Sequence, residues 1–107
     1  MKIRTGIILV AILAASTAST AFAQGSGADT FKAKCAMCHG ADGLAATPAG
    51  KAMQVPPFNS PALVKATTAD LIAATTNGKG KMPAYTGKLT DAQIKDVVAY
   101  IRTLQKK

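Results

Sequence analysis

Apolar positions recur at helical spacing near the carboxyl end of the chain, in the segment TDAQIKDVVAYIRTLQ at residues 90–105. Thr90 and Gln93 have the spacing of a capping box, which satisfies backbone N–H groups at a helix start. The i, i+3, i+4, i+7 pattern predicts an amphipathic helix with one buried face. That face comprises Ile94, Val97, Val98, Ile101 and Leu104.

Shorter helices are predicted upstream. The first covers about residues 28–38. The Ser-Pro pair at residues 60–61 opens a second, because Ser favours the N-cap and Pro the first helical position. A third has Thr67 or Thr68 as its cap and stops at Asn77-Gly78.

The remaining segments carry helix breakers instead of a regular pattern. Residues 40–59 are rich in Gly and Pro, and so are residues 79–89 to a lesser degree, which predicts loops. No segment shows the alternation of a strand. The expected fold class is therefore all-α, with three to five short helices and long loops. A loop as long as residues 40–59 is usually functional or wrapped around something.

The amino end has the three parts of a secretory signal. A basic start, MKIRTG, precedes an apolar run at residues 7–15 and a small-residue exit at Ala21-Phe22-Ala23. The run is too short to span a bilayer, which needs about 20 residues, although an uncleaved anchor is the alternative. We expect residues 1–23 to be removed and residues 24–107 to form one exported domain. Its compartment would be the periplasm or an equivalent such as a thylakoid lumen.

The exported domain is poor in bulky side chains. It has no Trp, and its aromatic residues are Phe31, Phe58, Tyr85 and Tyr100. Small exported domains often rely on several disulfides or a metal, but this chain has a single pair of cysteines. A large apolar cofactor would supply the missing core.

The charge is basic, with 13 Lys and Arg against 5 acidic residues. Nucleic acid, anionic lipid and acidic proteins all attract such a chain. Export and the lack of basic runs interleaved with aromatic residues argue against nucleic acid. We expect acidic protein partners, and no stable membrane insertion once the signal has been cleaved.

Both cysteines and the only histidine fall within five consecutive positions, Cys35 to His39. A structural zinc site wants four ligands, and Cys35, Cys38 and His39 supply three. Zinc would therefore need a dimer or a carboxylate. A dithiol redox pair typically sits at a helix amino end after a strand, whereas this pair ends a helical stretch.

A covalently bound haem fits each residue of the motif. C-x-x-C-H is the c-type haem attachment signature. On a helix, residues three apart share one face, so Cys35 and Cys38 could add to the two vinyl groups on one porphyrin edge. His39 follows directly and could reach the iron.

The sixth iron position then decides function, because an open position binds ligands and a filled one favours electron transfer. Without a second histidine, methionine is the candidate. Met37 lies inside the attachment motif, and Met53 lies in the first long loop. Met82 lies in the second, where Gly80 lets the backbone bend and Pro83 stiffens it. Met82 is preferred and Met53 is the alternative.

Two stretches carry a family resemblance: CAMCHG at residues 35–40, and NGKGKMPAYTGKLTDAQIKDVVAYIRTL at residues 77–104. Over nearly its whole mature length the chain resembles a class I mono-haem cytochrome c, and the second stretch is similar to the soluble photosynthetic members. The resemblance implies a small helical fold wrapped around one haem c, and electron transfer without catalysis.

The resemblance also implies roles for individual residues. Cys35 and Cys38 would form the thioether bonds, and His39 and Met82 would ligate the iron. The family's crossing of the first and last helices falls on Gly27, Phe31, Val97 and Tyr100.

We expect a soluble monomer that exchanges electrons with donor and acceptor proteins through acidic docking surfaces on those partners. Five lysines would then ring the haem edge: Lys32, Lys34, Lys79, Lys81 and Lys88. The alternative is a five-coordinate haem enzyme or ligand sensor in which Met82 is displaced. Its mark would be a distal His or Arg, and the only Arg of the mature chain is Arg102.

One departure from the family lies in the loop at residues 41–58, which is longer and richer in Ala and Pro than in the photosynthetic proteins. This loop should supply the backbone carbonyl that orients His39, since metal-bound histidines need such a partner. The carbonyl is expected at Thr47-Pro48.

Overall fold

The structure is a computed structural model that describes residues 26–106, so the predicted signal segment lies outside the described residues. Within that range the chain is helical, and its only extended pairings are isolated bridges of Lys79 with Met82 and of Thr86 with Leu89. The all-α prediction is confirmed. The helices are α1 (Gly27–Lys34), α2 (Ala36–His39), α3 (Pro48–Ala52), α4 (Pro61–Lys65), α5 (Thr68–Asn77) and α6 (Asp91–Leu104).

These six helices of residues 26–106 exceed the predicted three to five for two local reasons. The predicted helix at residues 28–38 is broken at Cys35, whose φ of −119° departs from the helical value near −63°. The predicted loop at residues 40–59 contains α3, because Thr47 accepts a hydrogen bond from Gly50 N and Pro48 occupies the first turn.

The predicted capping and burial of α6 are confirmed. Thr90 Oγ1 accepts from Gln93 N at 3.1 Å, and Gln93 Oε1 accepts from Thr90 N at 2.8 Å. In α5 the cap is Thr67, which forms a second capping box with Asp70. The buried face of α6 is Ile94, Val97, Val98, Ile101 and Leu104, as the spacing predicted.

Helices α1 and α6 cross closely, and most of the core lies between them. Phe31 is fully buried, with its ring centroid 5.4 Å from that of Tyr100 and 6.0 Å from that of Phe58. A Cβ on Gly27 would overlap the carbonyl oxygen of Asp96. The small residue is therefore required for the crossing, which fixes the end of α1 that leads into Cys35.

The carboxyl end of α6 is tied to the middle of the chain by two side chains. Arg102 donates to the carbonyl oxygens of Leu63 and Ala66. Gln105 Nε2 donates to Phe58 O at 3.0 Å and to Leu63 O at 3.2 Å. These bonds fix the backbone of Phe58, whose ring forms part of the site. Across residues 26–106, none of the helices has the length and apolar character needed to cross a bilayer.

Candidate haem site

Cys35, Cys38 and His39 are brought together by the single turn of α2. Cys35 O accepts from His39 N at 3.0 Å and from Cys38 N at 3.3 Å, so the three residues wind around one turn. Both thiols are free; Cys35 is buried and Cys38 is partly exposed. This arrangement presents two thiols and an imidazole within one compact segment.

The chemistry of this segment argues against two of the alternative predictions. Burial raises the pKa of the Cys35 thiol to about 11, whereas a dithiol redox pair relies on a lowered thiol pKa. No three or more His, Cys, Asp or Glu side chains among residues 26–106 are grouped so that they could hold a metal ion by themselves. The raised thiol pKa does not favour a redox-active dithiol, and the grouping of side chains within residues 26–106 does not favour a zinc site.

The His39 imidazole is partly buried and packed against an aromatic ring. Its ring stacks on that of Phe58, with centroids 4.6 Å apart and planes 18° from parallel. Burial lowers the pKa of His39, which favours the neutral form that binds metals. Its Nδ1 is buried and has no hydrogen-bond partner within residues 26–106.

The expected carbonyl bond from Thr47-Pro48 to His39 is therefore wrong for this structure, and Thr47 holds the backbone of the motif instead. Its Oγ1 donates to Met37 O at 2.7 Å and lies 3.3 Å from Cys38 O. Ala45 N donates to His39 O at 2.8 Å. Helix ends leave their last carbonyls without intrahelical partners. The loop satisfies those of α2 and so fixes how α2 is presented.

Gly50 lets this loop approach α2. A Cβ on Gly50 would overlap the carbonyl oxygen of Cys38 and would lie 2.6 Å from that of Ala45. The sequence signal for this approach of α3 to α2 was the Thr-Pro pair at residues 47–48. Such a pair is typical of a helix start and does not indicate a hydrogen-bond acceptor for histidine.

Met82 lies at the end of a tight hairpin. Lys79 N donates to Met82 O at 3.1 Å, and Met82 N donates to Lys79 O at 3.0 Å. The turn between them requires the positive φ of Gly80, 58°. The Met82 side chain is partly buried, whereas Met53 is 44% exposed and Met37 is 79% exposed.

Tyr85, which was not predicted as a site residue, connects the Met82 loop (residues 78–89) to the rest of the site. Its backbone N donates to Thr75 O at 3.0 Å, at the end of α5. Its hydroxyl donates to Lys34 O at 3.0 Å, and Lys34 immediately precedes Cys35. The structure therefore brings the Met82 loop next to the segment that carries the cysteines and His39.

These features suit a large apolar group held by the segment Cys35–His39. The His39 imidazole, which makes no hydrogen bond through its buried Nδ1 within residues 26–106, and the two thiols are the kinds of group that attach and ligate a haem. Among the described residues, the largest fully buried side chains are Phe31, Ile94, Val97 and Val98, all in α1 and α6. The other helices contribute none of this bulk, so the residues present fit a haem that completes the core.

Known proteins match this chain over most of its length. A family profile described as cytochrome c oxidase, cbb3-type, subunit III matches residues 23–101. Cytochrome c6 from Gloeothece citriformis is 39% identical over 106 residues, covering 94% of this chain and 91% of the relative. Cytochrome c6 from a Nostoc species is 37% identical over 94 residues, which cover 86% of this chain and 82% of the relative.

The fold agrees with these sequence matches. The solved structure of cytochrome c6 from the diatom Phaeodactylum tricornutum has a TM-score of 0.58 and 32% identity to this chain. The matched region covers 77% of this chain and 93% of the diatom protein. The chain therefore binds one covalent haem c and serves electron transport. It belongs to the class I mono-haem c-type cytochromes and is similar to the soluble photosynthetic members of that class.

Proposed function

We propose that this chain is an exported electron carrier in which Cys35 and Cys38 form the thioether bonds to haem, while His39 and Met82 are the axial ligands. The observation that carries the proposal is the Tyr85–Lys34 hydrogen bond of 3.0 Å, which brings the Met82 loop beside the attachment segment. When bound, the haem supplies a one-electron iron couple whose potential a Met ligand and burial raise.

The protein's own residues would keep this site dry and pre-formed. Thr47 and Ala45 hold the carbonyls of α2, and the Phe58 ring covers one face of His39. The two hydrogen bonds between Lys79 and Met82 restrict the backbone that presents the sulfur, so less conformational entropy is lost when Met82 binds. A site arranged in this way rearranges little when an electron arrives or leaves.

We propose electron transfer without catalysis, and the groups available around the site support this reading. A five-coordinate enzyme or sensor would need a distal His or Arg, and His39 is the only histidine. Arg102, the single arginine of residues 26–106, is engaged with the carbonyls of Leu63 and Ala66. Neither side chain is free to act on a ligand at the sixth position.

The partners we propose are redox proteins with acidic docking surfaces, met by a soluble monomer in the periplasm or a lumen-like compartment. The matched oxidase profile and the cytochrome c6 relatives favour a respiratory or photosynthetic electron chain as the setting. The lysines proposed to face the partner are exposed: Lys32, Lys34, Lys79, Lys81 and Lys88.

The axial ligand is tested by comparing Met82→Ala with Met53→Ala in the haem-loaded protein. Met82→Ala should retain covalent haem, lose the red absorption band of ferric sulfur–iron bonding, lower the reduction potential, and admit azide or carbon monoxide. Met53→Ala should change none of these, because Met53 is 44% exposed in the loop after α3. The opposite result would make Met53 the ligand.

A further inference from the structure

We propose that Tyr85 is a positioning residue that holds Met82 at the iron through the hydrogen bond of its hydroxyl to the Lys34 carbonyl. This inference rests on the proposed ligation by Met82. Tyr85 lies three positions after Met82, and Lys34 lies directly before Cys35. The bond therefore connects the loop that would present Met82 with the segment that would carry the two thioether cysteines and His39.

The connections of the Met82 loop are unevenly distributed. Tyr85 N donates to Thr75 O and Thr86 N donates to Thr76 O, and both bonds fix the loop to the end of α5. In the part of the chain that the structure describes, the Tyr85 hydroxyl makes the only hydrogen bond between residues 78–89 and residues 27–39. Two backbone bonds thus fix the loop to α5, while one hydroxyl fixes it to the haem-bearing side.

The acceptor explains why a tyrosine suits this position. Lys34 is the last residue of α1, where helical carbonyls have no partner within the helix. The hydroxyl satisfies that carbonyl and at the same time stops the loop from moving away from Cys35. A phenylalanine would keep the partly buried ring but could not make the bond. Lys88 also contacts the ring, with Nζ 5.8 Å from its centroid.

The experiment removes only this hydroxyl. In ferric, haem-loaded Tyr85→Phe, imidazole should displace Met82 about 2- to 10-fold faster than in the unmodified protein, the range expected for loss of one neutral hydrogen bond. The matched control is Tyr100→Phe. Tyr100 packs against Phe31, and within residues 26–106 its hydroxyl makes no hydrogen bond to the Met82 loop, so the displacement rate should not change.

The same substitution in a Met82→Ala variant distinguishes retention of the Met82 ligand from general access of imidazole to the site. In Met82→Ala, the sixth position has no sulfur to displace, so adding Tyr85→Phe should leave the imidazole binding rate unchanged. Equal acceleration in both backgrounds would overturn the inference, since the hydroxyl would then control access and not Met82.

The outcomes also separate this inference from the proposed function. If Met82→Ala opens the site but Tyr85→Phe exchanges ligand at the original rate, the role of Tyr85 is wrong and Met82 ligation stands. If Met82→Ala keeps the sulfur–iron absorption band, both proposals fail together.

Discussion

The segment Cys35–His39 and the Met82 hairpin, which we propose to carry the two axial ligands, are held by different kinds of contact. The first segment is held by packing and by neighbouring backbone: Cys35 is 8% exposed, the His39 ring stacks on Phe58, and the carbonyls of α2 are bonded by the loop at residues 45–50. The second is a surface hairpin, with its own two backbone bonds and a few anchors around it.

This difference indicates which of the two proposed axial ligands should be displaced first. Displacing His39 would break core packing around Phe58, which itself contacts Phe31. Displacing Met82 would open a loop whose lysines and Pro83 are exposed. Regions with few buried apolar contacts open at lower free energy than the packed core. Ligand exchange should therefore occur on the Met82 side, while His39 stays in place.

The largest effect is expected from preventing attachment of the haem that both regions are proposed to bind. In the double variant Cys35→Ala, Cys38→Ala, the exported product should be largely unfolded, because the fully buried bulk lies only in α1 and α6 of the described chain. Far-ultraviolet circular dichroism with a denaturant titration would measure this. A helical, haem-free product that unfolds cooperatively would contradict the prediction.

A pair of glycine substitutions compares the two regions directly. Gly50→Ala should lower the free energy of unfolding of the haem-loaded protein by about 3 kcal/mol, because the Cβ would overlap the Cys38 carbonyl. Gly80→Ala should cost about 1 kcal/mol, since its Cβ meets nothing within 4 Å and only its positive φ opposes alanine. Denaturant titration measures both values, and a larger loss at Gly80 would reverse the comparison.

A smaller effect is expected at Thr47. Thr47→Val removes the donor to Met37 O and the acceptor for Gly50 N, and should lower the unfolding free energy by about 1–2 kcal/mol. Thr47→Ser keeps the hydroxyl and is the matched control, with most of the stability retained. Equal losses for the two variants would mean that the methyl group matters and the hydroxyl does not.

Substitution of the lysines in the Met82 hairpin should have the smallest effect on folding. It should instead change the rate of electron transfer. Replacing Lys79 and Lys81 with Glu should slow electron transfer with the natural partner more than replacing Lys106 and Lys107, which follow the end of α6. Both pairs change the charge equally, so the comparison isolates placement. Steering is screened over about 8–10 Å at physiological salt, so rates should fall steeply as salt rises. Equal slowing, or no salt dependence, would argue against a docking face at the hairpin.

The parts of the fold that the sequence predicted are those that depend on neighbouring residues. The capping box of Thr90 and Gln93, the buried face of α6 and the stop at Gly78 are all local patterns, and each is confirmed. The family resemblance added one long-range contact, the close approach of Gly27 to α6. Local spacing alone would not have specified that crossing.

The missed features of the site depend on residues far apart in the chain. Phe58 reaches His39 from 19 positions away, and the Tyr85–Lys34 bond spans 51 positions. No local periodicity encodes either contact. The break at Cys35 also went unpredicted, because residues 28–38 contain neither Gly nor Pro, the usual signs of a helix end.

The bonds of Arg102 and Gln105 have a consequence for the order in which the molecule matures. A chain is synthesised from its amino end, so Cys35 to His39 emerge while the last turn of α6 is still missing. Until Gln105 arrives to bind Phe58 O, the residue that stacks on His39 lacks one of its two backbone anchors, the other being Gly43 O. The ring that stacks on His39 is thus held from behind by residues close to the motif and by the last turn of α6. Support of the histidine is therefore complete only when α6 has docked on the Phe58 backbone.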